Sequence, residues 1–524
     1  MSILTRLFES DWTTGPISAQ VRPMRWLAVF ALFFLPQPLL AAWYKATSSH
    51  FIVYGEGSAD SVRDYAEKLE KFEALLAART GLETEADANR LIVFLVNGTD
   101  AVQKQMGVRG TNIAGFYSPR LWGTIAVVPR RSGGGGEYDL DSQTVLFHEY
   151  AHHFMLQNAP VAYPRWYSEG FAEYFSTTEF KPDGAVQFGY PAKHRFYGLA
   201  VLPVFPVQQL LVPDDRKMTD DRTEAFYGWS WLLTHYLNFE AKRKGQLDSY
   251  LKAFAGGTPP TDAAVKAFGP MDKLQKDLSA YRDARRMSYV EWRGFKPPDA
   301  GIAVVALSAP QNAAMAMYMR TYRPSNGKAE VDAAVAEARK LAARYPAEPM
   351  ALDALAEFEL DAEQYDAAKR ANDAALATRP NDARLLMRAA RIAITRLGTT
   401  GDDVQWKAVR SLIVKANRAA PNDPFPLWEF YRWHYRAGVA VPKTALDGLR
   451  RAVQLAPQVS DLRFALAGEE LRGGEEATAR RTLAPLLNDP HSAEVRQAAQ
   501  ALLDAKGRPT VDAPKPPESG AKAK

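Results

Sequence analysis

Hydrophobic and polar positions follow two different periods along this chain, and the switch between them divides it. In the first half, short apolar runs stand between polar stretches. Phe51-Ile52-Val53-Tyr54, Leu91–Val96 and Thr124-Ile125-Ala126-Val127-Val128 read as strands, and residues 58–79 as an amphipathic helix. Asp141-Ser142 is a helix-start signal for a segment running to about Gln157, and Ser168 is placed to cap another helix from Glu169. Residues 212–290 predict helices broken by Pro/Gly turns, among them 223–243 and 271–286. A looser stretch, 291–327, contains Pro297-Pro298 and the apolar run 302–307, and reads as a connector carrying one strand. From residue 328 the chain becomes Ala-rich with a helical period. Pro346, Pro380, Pro421 and Pro457 each follow an Ala/Arg-rich helix, at intervals of 34, 41 and 36 residues, so residues 328–506 predict a stack of helix pairs. The tail, 507–524, has too little apolar content to fold.

At 524 residues and 47% hydrophobic, the chain is long enough for two or three domains with their own cores. A net charge of +5, mixed in sign and without a basic stripe, argues against a dedicated nucleic-acid binder. Arg22 and Arg25 precede the apolar run 26–35, then Pro36-Gln37-Pro38 and Leu39-Leu40-Ala41-Ala42. This is the pattern of a secretory signal peptide over 1–42, compact if translation starts at Met24, and it implies export to a periplasm. The alternative is an uncleaved membrane anchor, against which the uninterrupted apolar run is too short to cross a bilayer. The chain has no cysteine, which excludes a lipoprotein anchor, disulfides and any thiolate metal site. Four glycines at 133–136 lack the Lys-Ser or Lys-Thr that closes a phosphate loop, and read as a flexible surface loop.

The chemistry concentrates in His148-Glu149-Tyr150-Ala151-His152. Residues four apart on a helix are stacked neighbours, so His148 and His152 can reach one cation. Glu149 lies about 100° round the helix, beside such a cation, where a carboxylate can act as a base on water. A catalytic zinc site needs a third protein ligand. Pro164-Arg165-Trp166-Tyr167-Ser168-Glu169-Gly170-Phe171-Ala172-Glu173 offers Glu169 and Glu173 on one helical face, one to complete the ligand set and one to hold an imidazole by its other nitrogen. A metzincin would continue with Gly and a third His, whereas Phe154, Met155 and Leu156 follow here.

HEYAHH followed by PRWYSEGFAEYF resembles the gluzincin zinc peptidases, the group containing thermolysin and aminopeptidase N, and more closely the secreted bacterial proteins with a peptidase-MA-like domain. The resemblance covers roughly residues 43–290. It implies an α+β thermolysin-like lobe with Zn2+ held by His148, His152 and Glu169, Glu149 as general base, and Glu173 supporting a ligand. Tyr227, in Phe226-Tyr227-Gly228-Trp229, is similar in placement to the tyrosine that stabilises the oxyanion in aminopeptidase N, with Trp229 where that enzyme has lysine. Tyr227, Trp231 and Tyr236 read equally as core aromatics, and His235 as a structural histidine. In such lobes a strand beside the metal pairs with an extended substrate; Thr124 to Val128 or Gly115-Phe116-Tyr117 are the candidates. The helix pairs after residue 328 resemble degenerate tetratricopeptide repeats, which implies a concave surface for a protein substrate or partner. The expected function is a secreted zinc metallopeptidase; the alternative is a non-catalytic repeat scaffold whose lobe holds metal only for stability.

Overall fold

The early apolar runs form strands buried on both faces, which is why they are continuous rather than alternating in polarity. In chain order come β1 (Trp43–Thr47), β2 (Phe51–Glu56), α1 (Ala59–Thr80), β3 (Leu91–Val96), α2 (Thr99–Met106), β4 (Phe116–Ser118) and β5 (Ile125–Pro129). Next are α3 (Ser142–Asn158), α4 (Arg165–Ser176), β6 (Glu179–Phe180), β7 (Val186–Phe188), α5 (Val207–Leu211) and α6 (Asp220–Phe239). α7 (Gln246–Ala255), α8 (Pro260–Phe268), α9 (Met271–Arg282), β8 (Val290–Trp292), β9 (Ala303–Ala306) and α10 (Ala309–Arg320) complete the first half.

This computed structural model describes residues 42–82, 90–107, 115–130, 141–158, 161–214, 218–284, 286–323, 325, 327–398, 400–506 and 522–523. The expected export segment up to residue 41, the glycines at 133–136 and the tail residues 507–521 and 524 lie outside them. Among the described residues, no helix is long and apolar enough to cross a membrane.

The main sheet runs β4-β5-β3-β2-β1-β9, with β2, β3 and β5 parallel and the outer strands antiparallel. Lys522–Ala523 add a short strand, β10, to the outer edge of β4. Successive side chains of β3 enter different cores. Leu91, Val93 and Leu95 pack with α1, α3 and the helical part of the lobe, while Ile92, Phe94 and Val96 pack with Met315 and Met319 of α10 and with Tyr322. Ser58 and Ser61 form a capping box at the start of α1, and Gly81, at φ +70°, closes its other end.

The stretch expected to be a connector belongs to the lobe. β9 pairs with β1, and α10 covers the sheet face opposite α1. A strand beside an unpaired edge and a helix with an apolar face both gain more by packing than by spanning solvent.

The second half is an array of successively packed helices: α11 (Lys328–Arg344), α12 (Pro349–Asp361), α13 (Tyr365–Thr378), α14 (Ala383–Leu397), α15 (Asp403–Ala419), α16 (Pro424–Arg436), α17 (Lys443–Leu455), α18 (Ser460–Arg472), α19 (Glu476–Leu487) and α20 (Ala493–Asp504). Pro346, Pro380, Pro421 and Pro457 lie just beyond α11, α13, α15 and α17, where a residue without an N–H cannot extend a helix. Ala354 and Ala368 are fully buried where neighbouring helices meet.

The repeats dock on the lobe, and the described residues from Ala42 onward hold together as one unit. Leu121 inserts among the repeat helices, and Trp122 packs against Phe425, ring centroids 6.0 Å apart. Gln458 Nε2 donates to Thr124 Oγ1 across the buried interface at 3.2 Å.

Candidate metal centre

α3 starts where Asp141 was expected to start it, its carboxylate accepting from the amides of Gln143 (2.8 Å) and Thr144 (3.0 Å). The helix is buried nearly all round, from Val145 to Met155, so its histidines face protein rather than bulk solvent.

α4 departs from the sequence expectation in one informative way. Ser168 does not cap it. Pro164, with φ −66°, precedes a first turn at Arg165, and its carbonyl accepts from the amides of Tyr167 and Ser168. The Ser168 hydroxyl, freed from capping, lies 3.2 Å from His152 Nδ1. Gly170 lets α4 approach α6 closely: a β-carbon there would meet Thr234 Oγ1 at 2.1 Å and the Ser230 carbonyl oxygen at 2.5 Å. That approach drives Glu169 and Glu173 inward, and both are fully buried.

His148 Nε2 and His152 Nε2 are 3.1 Å apart, and Glu169 Oε2 lies 3.3 Å from the first and 3.5 Å from the second. Tetrahedral zinc with bonds of about 2.0–2.1 Å separates its donors by about 3.3 Å. Two imidazoles and one carboxylate with this spacing fit zinc in both geometry and donor chemistry.

Each histidine is oriented by its other nitrogen. Glu173 Oε1 is 3.2 Å from His148 Nδ1, as Ser168 Oγ is from His152 Nδ1. Burial alone would raise the Glu173 carboxyl pKa. The charge of Arg195, then those of His194 and His148, outweighs burial and holds it well below the usual carboxylate range. Arg195 donates to Glu173 Oε1 from Nε (2.9 Å) and Nη2 (2.6 Å), and His194 Nε2 is 2.8 Å from Oε2. Arg195 also bridges to Glu224 of α6 at 3.0 Å.

Glu149 lines a cleft of about 470 Å³ together with His152, Ser168, Tyr117 and Tyr227. Tyr227 stands edge-on to His148, ring centroids 6.4 Å apart, with the Arg195 guanidinium 4.8 Å from its ring centre. Burial, and then the charge of Glu149, hold the Tyr117 hydroxyl in its neutral form, and that hydroxyl lies 2.9 Å from His153 Nδ1. His235 is a core residue. Its Nε2 reaches the carbonyls of Ser288 (2.9 Å) and Gly189 (3.1 Å), and burial lowers its pKa to about 4.

Of the two candidate substrate strands, Thr124 to Val128 falls in β5, which is paired on both sides by β4 and β3. β4, carrying Phe116 and Tyr117, has its outer edge turned away from the sheet, where Lys522–Ala523 pair with it antiparallel.

Sequence reasoning missed His194, Arg195 and His491. The first two follow the motif helices by a loop whose path no local period encodes. His491 comes from the last repeat, its Nδ1 3.2 Å from Glu169 Oε1.

Neither protein-family models nor curated proteins match the chain. Among solved structures, the crystal structure of a thermophilic TPR protein from Thermus thermophilus is similar at 20% identity, covering 37% of this chain and 99% of that one, with a TM-score of 0.31.

Proposed function

We propose that this chain is a zinc-dependent peptidase of the gluzincin type, exported across the inner membrane, whose helical repeats engage a protein substrate or partner. The observation that carries this reading is the triangle of His148 Nε2, His152 Nε2 and Glu169 Oε2, with sides of 3.1, 3.3 and 3.5 Å. These three residues would hold the ion. Zinc, when bound, supplies a Lewis acid that brings the pKa of water down to about 7. Glu149 is the proton carrier: its carboxylate takes a proton from the attacking water and returns it to the leaving amine. Tyr227 directs its phenol toward the developing oxyanion. The outer edge of β4 would bind the substrate backbone as an added strand in place of Lys522–Ala523, which pair with that edge here, giving affinity with little demand on sequence. Pro457, Gln458, Ser460 and His491 of the repeat domain form part of the cleft wall.

A second reading is a repeat scaffold whose lobe holds metal for stability alone; the extent of the helical array, ten helices from Lys328 to Asp504 among the described residues, favours it. The two separate on one experiment. The wild type is expected to carry about one zinc per chain and to cleave members of a broad peptide library, and Glu149→Gln to keep the zinc but lose cleavage. Zinc binding without cleavage by the wild type supports the scaffold; no zinc binding refutes the peptidase.

A further inference from the structure

The end of the solenoid returns to the metal centre. Between α19 and α20, residues 488–492 form a built loop rather than a loose one. The Asp489 carboxylate accepts from the amides of His491 (2.9 Å) and Ser492 (2.6 Å), and Arg496 donates to the Asp489 carbonyl. The Ser492 hydroxyl caps α20 through the Val495 amide at 3.3 Å. α19 and α20 are locked behind the loop by Leu483, Leu486, Val495 and Ala499. The interface at Gln458 and Thr124, one helix pair earlier, sets where this loop lands.

It lands on Glu169. His491 Nδ1 is 3.2 Å from Oε1, and the His491 ring stands perpendicular to that of His152, at 89° with centroids 4.9 Å apart. The two oxygens of one fully buried carboxylate are therefore divided: Oε2 faces the two imidazole nitrogens and Oε1 faces His491. A carboxylate ligand is free to rotate and to change its coordination unless its other oxygen is held.

We infer that His491 is a positioning residue of the metal centre, supplied by the helical-repeat domain, whose Nδ1 lies 3.2 Å from Glu169 Oε1 and, by donating to that oxygen when the ion is bound, keeps Oε2 aimed at it. The repeat domain is then part of the centre and not only a recruiting surface. This rests on the proposed metal site and adds to it a residue from outside the lobe.

The test uses the full-length protein, with zinc affinity read by competition against a chromophoric chelator and the ligand field read from the visible spectrum of the cobalt-loaded form. His491→Phe keeps the ring volume but cannot donate; His491→Gln can donate through its amide. Removing such a support weakens metal binding by about 10–100-fold, which is the loss expected for His491→Phe together with a shifted cobalt spectrum. His491→Gln is expected to stay close to the wild type in both. Thermal melting of each metal-free variant separates this from loosened packing. Wild-type affinity and spectrum in His491→Phe overturn the inference, and so does an equal loss in both variants. If the wild type itself binds no zinc, the peptidase reading falls with it; if only His491→Phe proves silent, the peptidase reading stands and His491 is removed from the centre.

Discussion

Replacing Gly170 by alanine adds one methyl group at the tightest point between α4 and α6. That methyl would sit 2.1 Å from Thr234 Oγ1, which can rotate away, and 2.5 Å from the Ser230 carbonyl oxygen, which is held in a helix and cannot. To restore ordinary contact α4 must retreat by about 0.9 Å. Overpacking of this kind costs about 1–3 kcal/mol, and alanine's higher helix propensity returns about 1 kcal/mol of it. The net expectation is a loss of up to about 2 kcal/mol, at most a few degrees in the melting temperature of the metal-free protein. The larger effect falls on the metal. Glu169 is the residue next to Gly170 and moves with it, and a displacement near 0.9 Å far exceeds the roughly 0.2 Å that metal–ligand distances tolerate. Zinc affinity should fall at least tenfold by chelator competition, and added zinc should raise the melting temperature of Gly170→Ala less than that of the wild type. A Gly170→Ala protein that melts at or above the wild type and binds zinc equally well would show that α4 is not wedged against α6 in this way.

Tyr227→Phe should reduce kcat by roughly 100-fold while leaving KM and zinc content unchanged; an unaltered kcat would make Tyr227 a core aromatic and nothing more. Glu173→Gln removes the charge that Arg195 and His194 share, leaving a buried cation under-compensated. It should cost about 3 kcal/mol or more in chemical denaturation and about 10–100-fold in zinc affinity. In the repeats, Glu357 is largely buried, but Arg391 and Arg388 outweigh that burial and hold its carboxyl down at about 2. A carboxyl depressed on folding contributes stability above its unfolded pKa and loses it as pH falls through the folded value. Glu357→Gln should therefore lower stability by about 3 kcal/mol above pH 4.5, with the gap to the wild type closing as pH approaches 2; a gap independent of pH would refute the charge assignment.

What was legible in the sequence was whatever a local period or a local stop signal encodes. Leu91–Val96 forms a strand over the residues expected, because a continuous β-branched and aromatic run has one stable use, burial in a sheet. The spacing of His148 and His152 already stacks their rings, and a run of prolines beyond Ala-rich helices already sets the rhythm of the repeat array. Ser168 shows where local reasoning misleads: its cap pattern was real, but Pro164 began the helix a turn earlier and the hydroxyl turned to His152. The strand at Ala303–Ala306, expected within a connector, shows a second limit: its local pattern gave the strand but not its pairing with β1, which needs an unpaired edge nearby.

Which nitrogen of His148 each of Glu169 and Glu173 faces, implied beforehand only by the family resemblance, is set by tertiary structure. Both lie on one face of one helix, and only the crossing of α3 and α4 directs the first to Nε2 of His148 and the second to its Nδ1. The ring of groups around them, with Arg195 and His194 on a loop and His491 on the last repeat, has no spacing to read. Local sequence sets backbone preference over a few residues at a time. Partners brought together by a sheet, a glycine-sized gap and a docked solenoid are chosen by burial and shape, which act only once the whole chain has folded.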